Sequence, residues 1–257
     1  MIIPKKSLGQ NFLINAGILE KIVSAAELNR NDTVLEIGPG TGNLTKLLSE
    51  KAGQVIAIEK DRRLIENLKI KFPAVKIIEE DVLGFKPEEY DLKEEAYKIV
   101  ANIPYYITSN LLRTIFEEWP VPKLIVLTVQ KEVAKRIVAK PPDMNLLALS
   151  VQFYSEPKII GYISKGSFRP MPKVDSAIIK LTPHNQPTSA NPEMFFKLVK
   201  AGFSGKRKQL INNLVKNFGM IREDLLRIFE KMTMKQDVRA ENLSLNQWIE
   251  LSKLMEK

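Results

Sequence analysis

Two hydrophobic periods alternate along the first 130 residues. Ile18, Leu19, Ile22 and Val23 recur at the spacing of one helix face, which predicts a helix over 15–28. "TVLEIG" (33–38) and "QVIAIE" (54–59) are short β-rich runs, and Leu44, Leu47 and Leu48 between them return to the helical spacing. The alternation continues with a helix at 61–71, strands at 75–79 and 97–101, a helix at 108–118 and a strand at 123–129. Such a pattern predicts an α/β fold, a mostly parallel sheet wrapped by helices. Residues 146–163 and 174–181 read as two further strands forming an antiparallel edge, with "SFRPMPKVDS" between them as a proline-stiffened exposed loop.

The pattern changes again at 182–192, a Pro-, Asn-, Ser- and Thr-rich stretch that reads as a linker. Beyond it the strand signals cease, and 193–204, 206–217, 221–232 and 244–255 all suit amphipathic helices. The expected organisation is a ligand-binding α/β domain over 1–181, the linker, and a small all-helical domain over 193–257.

Composition narrows the function classes. The 257 residues are 44% hydrophobic and 27% charged, the balance of a folded globular chain. With no cysteine and one histidine, a disulfide framework is impossible and a Cys/His zinc site lacks its ligands, so no metal is expected. No window approaches the roughly 20 apolar residues of a membrane span, and a cytoplasmic, monomeric protein is expected. Net charge is +9, and residues 182–257 carry 13 Lys/Arg against 8 Asp/Glu, more than half of the excess. That favours a polyanionic partner, nucleic acid above all, over a merely solvated basic surface.

"VLEIGPGTGNLT" places Gly38, Gly40 and Gly42 between a strand and a helix, where missing Cβ atoms allow a tight turn and close approach of backbone to a ligand. Glu59 ends the next strand, where a carboxylate can accept from ribose hydroxyls. Glu36, two residues before the first glycine, makes the loop resemble that of S-adenosylmethionine-dependent methyltransferases rather than dinucleotide dehydrogenases. A sulfonium cofactor tolerates acidic surroundings that a pyrophosphate does not. Asp81, after the third strand, is placed to accept from an adenine amino group, with a surface or capping role as the alternative.

"ANIPYYITSNLL" (101–112) breaks a buried run at the same sheet edge. Asn102 offers a carbonyl acceptor, the peptide before Pro104 offers a second on a stiffened segment, and Tyr105 offers a flat ring. Two acceptors can hold both hydrogens of an exocyclic amine. The alternative is a strand-ending turn with a packed tyrosine.

Asn-Ile-Pro-Tyr is similar to the Asn/Asp-x-Pro-Tyr/Phe signature of methyltransferases acting on planar amino nitrogens. Together with "KKSLGQNFL", the glycine loop, "FRPMPKVDSAIIKL" and "RAENLS" at 239–244, the chain resembles the KsgA family of small-subunit rRNA adenine dimethyltransferases over nearly its whole length. The resemblance implies a Rossmann-like methyltransferase fold with a small C-terminal helical domain for RNA or ribosome binding. It implies cofactor contacts from Asn11, Leu13, Gly38, Glu59 and Asp81, with Asn102 near the transferable methyl. Tyr105 and Phe168 would sandwich the target adenine, and the product would be S-adenosylhomocysteine. "MNLLALS" departs from the family's Tyr/Phe-Gly-x-Leu-Ser run near 145–150.

The expected partner is small-subunit rRNA in an immature ribosomal subunit. Lys206, Arg207 and Lys208 stand at an expected helix start, where cations oppose the helix dipole and phosphate contact supplies a reason for them. Lys5 and Lys6 beside the cofactor mouth and Lys173 in the proline loop are further candidates for RNA contact. Two alternatives stay open: a large-subunit rRNA adenine methyltransferase of the macrolide-resistance type, and a ribosome-assembly factor that uses the fold as an RNA platform.

Overall fold

A computed structural model of the chain describes residues 4–5, 8–184, 189–205 and 207–256. In chain order the elements begin with β1 (Phe12–Leu13), α1 (Ala16–Ala25), β2 (Thr33–Ile37), α2 (Asn43–Lys51), β3 (Gln54–Glu59), α3 (Arg62–Lys71) and β4 (Lys76–Glu79). They continue with β5 (Tyr97–Asn102), α4 (Thr108–Glu117), β6 (Leu124–Gln130), α5 (Lys131–Ile137), α6 (Leu146–Gln152), β7 (Ser155–Ile163), β8 (Phe168–Arg169) and β9 (Ser176–Pro183). Four helices follow, α7 (Pro192–Gly202), α8 (Leu210–Phe218), α9 (Arg222–Lys231) and α10 (Leu245–Met255). The chain divides into two compact units, Met1–Ala134 with Glu156–Pro183, and Lys135–Ser155 with His184–Lys257.

The first unit holds a seven-stranded sheet in the order β4-β3-β2-β5-β6-β9-β7. Strands β4 to β6 pair in parallel, with Leu35 opposite Ile56 on one side and Ile99 on the other. Parallel strands covered on both faces read as continuous apolar runs, and "LIVLTV" of β6 is buried throughout. β9 runs antiparallel to β6, as the sequence led us to expect of the last strands. The chain winds outward from β2 through β3 to β4, then returns to place β5 on the other side of β2. Such a reversal opens a crevice at the carboxyl ends of the strands.

Three expectations fail here for identifiable reasons. Residues 146–152 form α6 rather than the start of a strand, because Asn145 caps the run by accepting from the Ala148 N–H at 3.1 Å. That helix belongs to the second unit, so residues 135–155 join the helical part instead of the α/β part. Phe168, expected on an exposed loop, pairs with Leu13 in a small β1-β8 sheet and is 0% exposed.

The second unit is packed by aromatics. Phe153 and Phe195 lie 4.3 Å apart, and Phe203 stacks on the fully buried Trp248 at 5.8 Å. α7 and α10 start on side-chain caps: Asn191 accepts from the Glu193 and Met194 N–H groups with Pro192 following, and Ser244 forms a capping box with Gln247. α8 begins at Leu210, so Arg207 and Lys208 occupy the exposed turn before it rather than its first turn. Asn213 donates to the carbonyls of Gly202 (2.6 Å) and Gly205 (3.2 Å) and so pins that turn. Lys206 lies outside the described residues.

Candidate active site

The cleft at the carboxyl edge of the first unit's sheet encloses about 1030 Å³ including its open mouth. Its walls come from the N-terminal segment 8–13, the glycine loop, the ends of β3 and β4, and the segment 102–107. Asn11, Leu13, Gly38, Glu59, Asp81, Asn102, Pro104 and Tyr105 all line it, so residues scattered over more than 90 positions meet at one place.

Gly38 (φ +70°) and Gly40 (φ +59°) have left-handed backbones that favour glycine. Added to Gly38, a Cβ would meet nothing within 4 Å, so the backbone is open to the cleft. Added to Gly40, it would stand 2.8 Å from the Phe12 ring, so glycine there lets the N-terminal segment close down on the loop.

The acids divide into three environments. Glu59 is buried and accepts from the Gly40 N–H (3.1 Å) and the Asp61 N–H (2.8 Å), which ties the glycine loop to β3. Burial pushes its carboxyl up, against the pull of those N–H groups. Asp61 is held well below the usual carboxylate range, chiefly by hydrogen bonds from Arg63 and also by Gln10. Asp81 is half exposed and its pKa is lowered mainly by the hydrogen bond from Lys60. Glu36 is the outlier. It is 1% exposed, its Oε2 has no hydrogen-bond partner, and burial pushes it up to about 8. The buried Thr45 hydroxyl stands beside this carboxyl and pulls the other way, too weakly to offset the burial.

The N-terminal segment is sewn across the cleft. Gln10 accepts from the Lys5 N–H and donates to Asp61, Asn43 donates to the Leu13 carbonyl at 2.8 Å, and the Ile14 N–H donates to Ser167 O at 2.9 Å. Asn102 Nδ2 donates to the Asn11 carbonyl at 3.1 Å, while its Oδ1 accepts from the Thr128 hydroxyl. A backbone carbonyl can only accept, so this partner fixes which end of the amide is nitrogen. Tyr105 shares a 2.6 Å hydrogen bond with Ser176, and burial pushes its phenol up.

Phe168 does not join the cleft wall; it sits in the apolar core with Leu13, Leu19 and Ile178, and no face of its ring is open for stacking. Tyr106, beside Tyr105, is instead 62% exposed at the cleft. Lys5 is exposed and lies 3.9 Å from Asp61, Lys173 is exposed, and Lys6 lies outside the described residues. Sequence reasoning missed Gln10, Asp61, Thr128 and Ser176. The available signal for the last two was a hydroxyl inside an otherwise apolar strand run.

Fold and cleft define a Rossmann-like methyltransferase with a helical C-terminal unit. The ribosomal RNA adenine dimethylase family matches residues 3–257, and the chain belongs to that family. It is 46% identical over 252 residues to ribosomal RNA small subunit methyltransferase A of Dehalococcoides mccartyi strain CBDB1, covering 96% of this chain and 87% of that protein. The protein of the same name from Mycoplasmopsis pulmonis is 44% identical, covering 93% and 94%. Among solved structures, a dimethyladenosine transferase from Plasmodium falciparum matches with a TM-score of 0.82 at 30% identity, covering 95% of this chain and 96% of that one. The 23S rRNA methyltransferase ErmE matches with a TM-score of 0.79 at 25% identity, covering 96% and 100%. Among the described residues no helix is long and apolar enough to cross a membrane, and no group of His, Cys, Asp or Glu is set to hold a metal ion.

Proposed function

We propose that the chain dimethylates N6 of two adjacent adenosines in a loop near the 3′ end of small-subunit rRNA, acting as a cytoplasmic monomer on immature subunits, with S-adenosylmethionine as methyl donor. The observation that carries this reading is the convergence, on one cleft, of an open glycine backbone, a buried acceptor at Glu59 and the Asn102-to-Tyr105 segment. These groups suit the cofactor. Gly38 leaves room for its methionine portion, Glu59 keeps lone pairs for ribose hydroxyls beyond those taken by backbone N–H groups, and Asp81 can accept from its adenine amine. Asn11 and Leu13 complete the wall from the N-terminal segment. Bound there, the cofactor supplies an electrophilic methyl on a sulfonium.

The chain's own work is orientation. An adenine amine is a weak nucleophile because its lone pair is delocalised into the ring. Accepting its hydrogens at Asn102 Oδ1 and the Ile103 carbonyl favours a pyramidal nitrogen whose lone pair points one way. No strong base is needed, and the gain is that of holding two reactants in register. Tyr105 supplies a stacking face that offsets the cost of unstacking the base, with exposed Tyr106 beside it in place of buried Phe168. Arg207, Lys208, Lys5 and Lys173 offer exposed cations to the RNA backbone, and the proposed contacts of Lys6 and Lys206 stand on sequence alone.

Single-turnover methylation of immature small subunits tests the assignment. Asn102→Ala should slow it at least roughly tenfold, about 1.4 kcal/mol in the barrier. Near-normal turnover by a folded variant would remove the segment from the chemistry. The likeness to ErmE keeps a large-subunit substrate as the competing reading, and a label found in large-subunit rRNA would select it.

A further inference from the structure

Two hydroxyls interrupt apolar strands beside the Asn-Ile-Pro-Tyr segment. Thr128 lies in "LIVLTVQ" of β6, and Ser176 opens "SAIIKL" of β9. Both are 0% exposed. The two strands are antiparallel neighbours, with Thr128 opposite Ile178 and Ser176 opposite Gln130, so the hydroxyls stand close along one edge of the sheet. A buried hydroxyl is unfavourable unless partnered. The partners here are the two side chains to which the reading above assigns the chemistry: Thr128 donates to Asn102 Oδ1, and Ser176 shares a hydrogen bond with the Tyr105 hydroxyl.

We propose that Thr128 and Ser176 are positioning residues for methyl transfer, Thr128 fixing the Asn102 amide and Ser176 fixing the Tyr105 ring from inside the sheet. The proposal rests on the roles given above to Asn102 and Tyr105. An Asn amide has two acceptor lone pairs and two donor hydrogens. Thr128 uses one lone pair and the Asn11 carbonyl uses one hydrogen, which leaves one of each for a substrate amine and its surroundings. Asn11 belongs to the N-terminal segment, whereas Thr128 is part of the sheet and directly opposite Asn102 in the β5-β6 register. Thr128 is therefore the sheet's own restraint on the amide. Tyr105 is restrained likewise, because its backbone lies in a short 3₁₀ turn (Tyr105–Ile107) and its hydroxyl end is tied to β9.

The test uses full-length protein, labelled S-adenosylmethionine and immature small subunits under single-turnover conditions, with cofactor dissociation constants measured in parallel. Thr128→Val keeps shape and removes the hydroxyl. It should slow methylation by about 2- to 13-fold, the range of one net hydrogen bond, with cofactor affinity unchanged. Thr128→Ser should restore most of the rate. In an Asn102→Ala background Thr128→Val should add no further loss, because its effect runs through that amide. An undiminished rate in Thr128→Val, or an equal loss in the Asn102→Ala background, overturns the Thr128 assignment while leaving Asn102 in place. Normal turnover by Asn102→Ala itself removes the underlying reading and this one with it. Should Thr128→Val not fold, the second pair decides: Tyr105→Phe and Ser176→Ala should each reduce the rate, and the double variant should be no slower than the worse single. Additive losses there contradict the proposal.

Discussion

The two units use buried polar groups in opposite ways. The first buries Glu59, Asp61, Thr128 and Ser176 around its cleft and offsets their desolvation with hydrogen bonds to the glycine loop, the N-terminal segment, Asn102 and Tyr105. The second packs a core of Trp248, Phe195, Phe229 and Leu residues, and its basic side chains Arg207 and Lys208 point to solvent. Substitutions at these hydrogen-bonded cleft groups should therefore change activity more than stability, and core substitutions in the second unit the reverse.

The largest expected effect is on the packed side. Trp248→Ala should destabilise by about 3 to 5 kcal/mol, measured by chemical denaturation, because a fully buried indole stacked on Phe203 leaves a cavity. A loss confined to activity would break the contrast. Next comes Glu59→Ala, which should weaken S-adenosylmethionine binding by about 1.5 to 3 kcal/mol through loss of a charge-assisted acceptor. Calorimetry on the folded variant checks it, and an unchanged dissociation constant would remove Glu59 from the cofactor site.

Glu36 sharpens the contrast from the other direction. With its pKa raised from 4.5 to about 8, the folded protein keeps a proton that the unfolded chain releases. That contribution to stability is fully present below pH 4.5 and is lost as pH rises to 8, at up to about 1.4 kcal/mol per pH unit. Glu36→Gln mimics the neutral acid, so its melting temperature should exceed that of the unsubstituted protein by more at pH 8 than at pH 5. Equal differences at both values would mean that the carboxyl is not held neutral. The smallest effect belongs to the basic turn. Replacing Arg207 and Lys208 by alanine should lower RNA affinity and flatten its salt dependence, with cofactor affinity intact. An unaltered salt titration would return the turn to an ordinary solvated surface.

Much of the first unit was legible in sequence because its signals are local and steric. Alternating periods set the strand and helix order; Glu59 and Asn102 end their strands, and Gly38 and Gly40 lie in the loop that follows β2. What was not legible depended on long-range packing. "LLALSVQ" is apolar enough for either strand or helix, and the Asn145 cap decides it. Phe168 stands among prolines that suggest exposure, yet pairing with Leu13 turns it into the core. Arg207 and Lys208 fit a helical period, but the carbonyls of Gly202 and Gly205 are captured by Asn213 and the helix starts at Leu210. Thr128 and Ser176 read as strand residues alone, and only the folded register brings them to Asn102 and Tyr105.

The most direct test of the account is to incubate the protein with labelled S-adenosylmethionine and immature ribosomal subunits and to map the modified nucleotides. The expected product is N6,N6-dimethylation of two adjacent adenosines in a loop near the 3′ end of small-subunit rRNA, abolished or slowed at least roughly tenfold by Asn102→Ala. Label in large-subunit rRNA, or none in either rRNA from a folded protein that binds the cofactor, would contradict it.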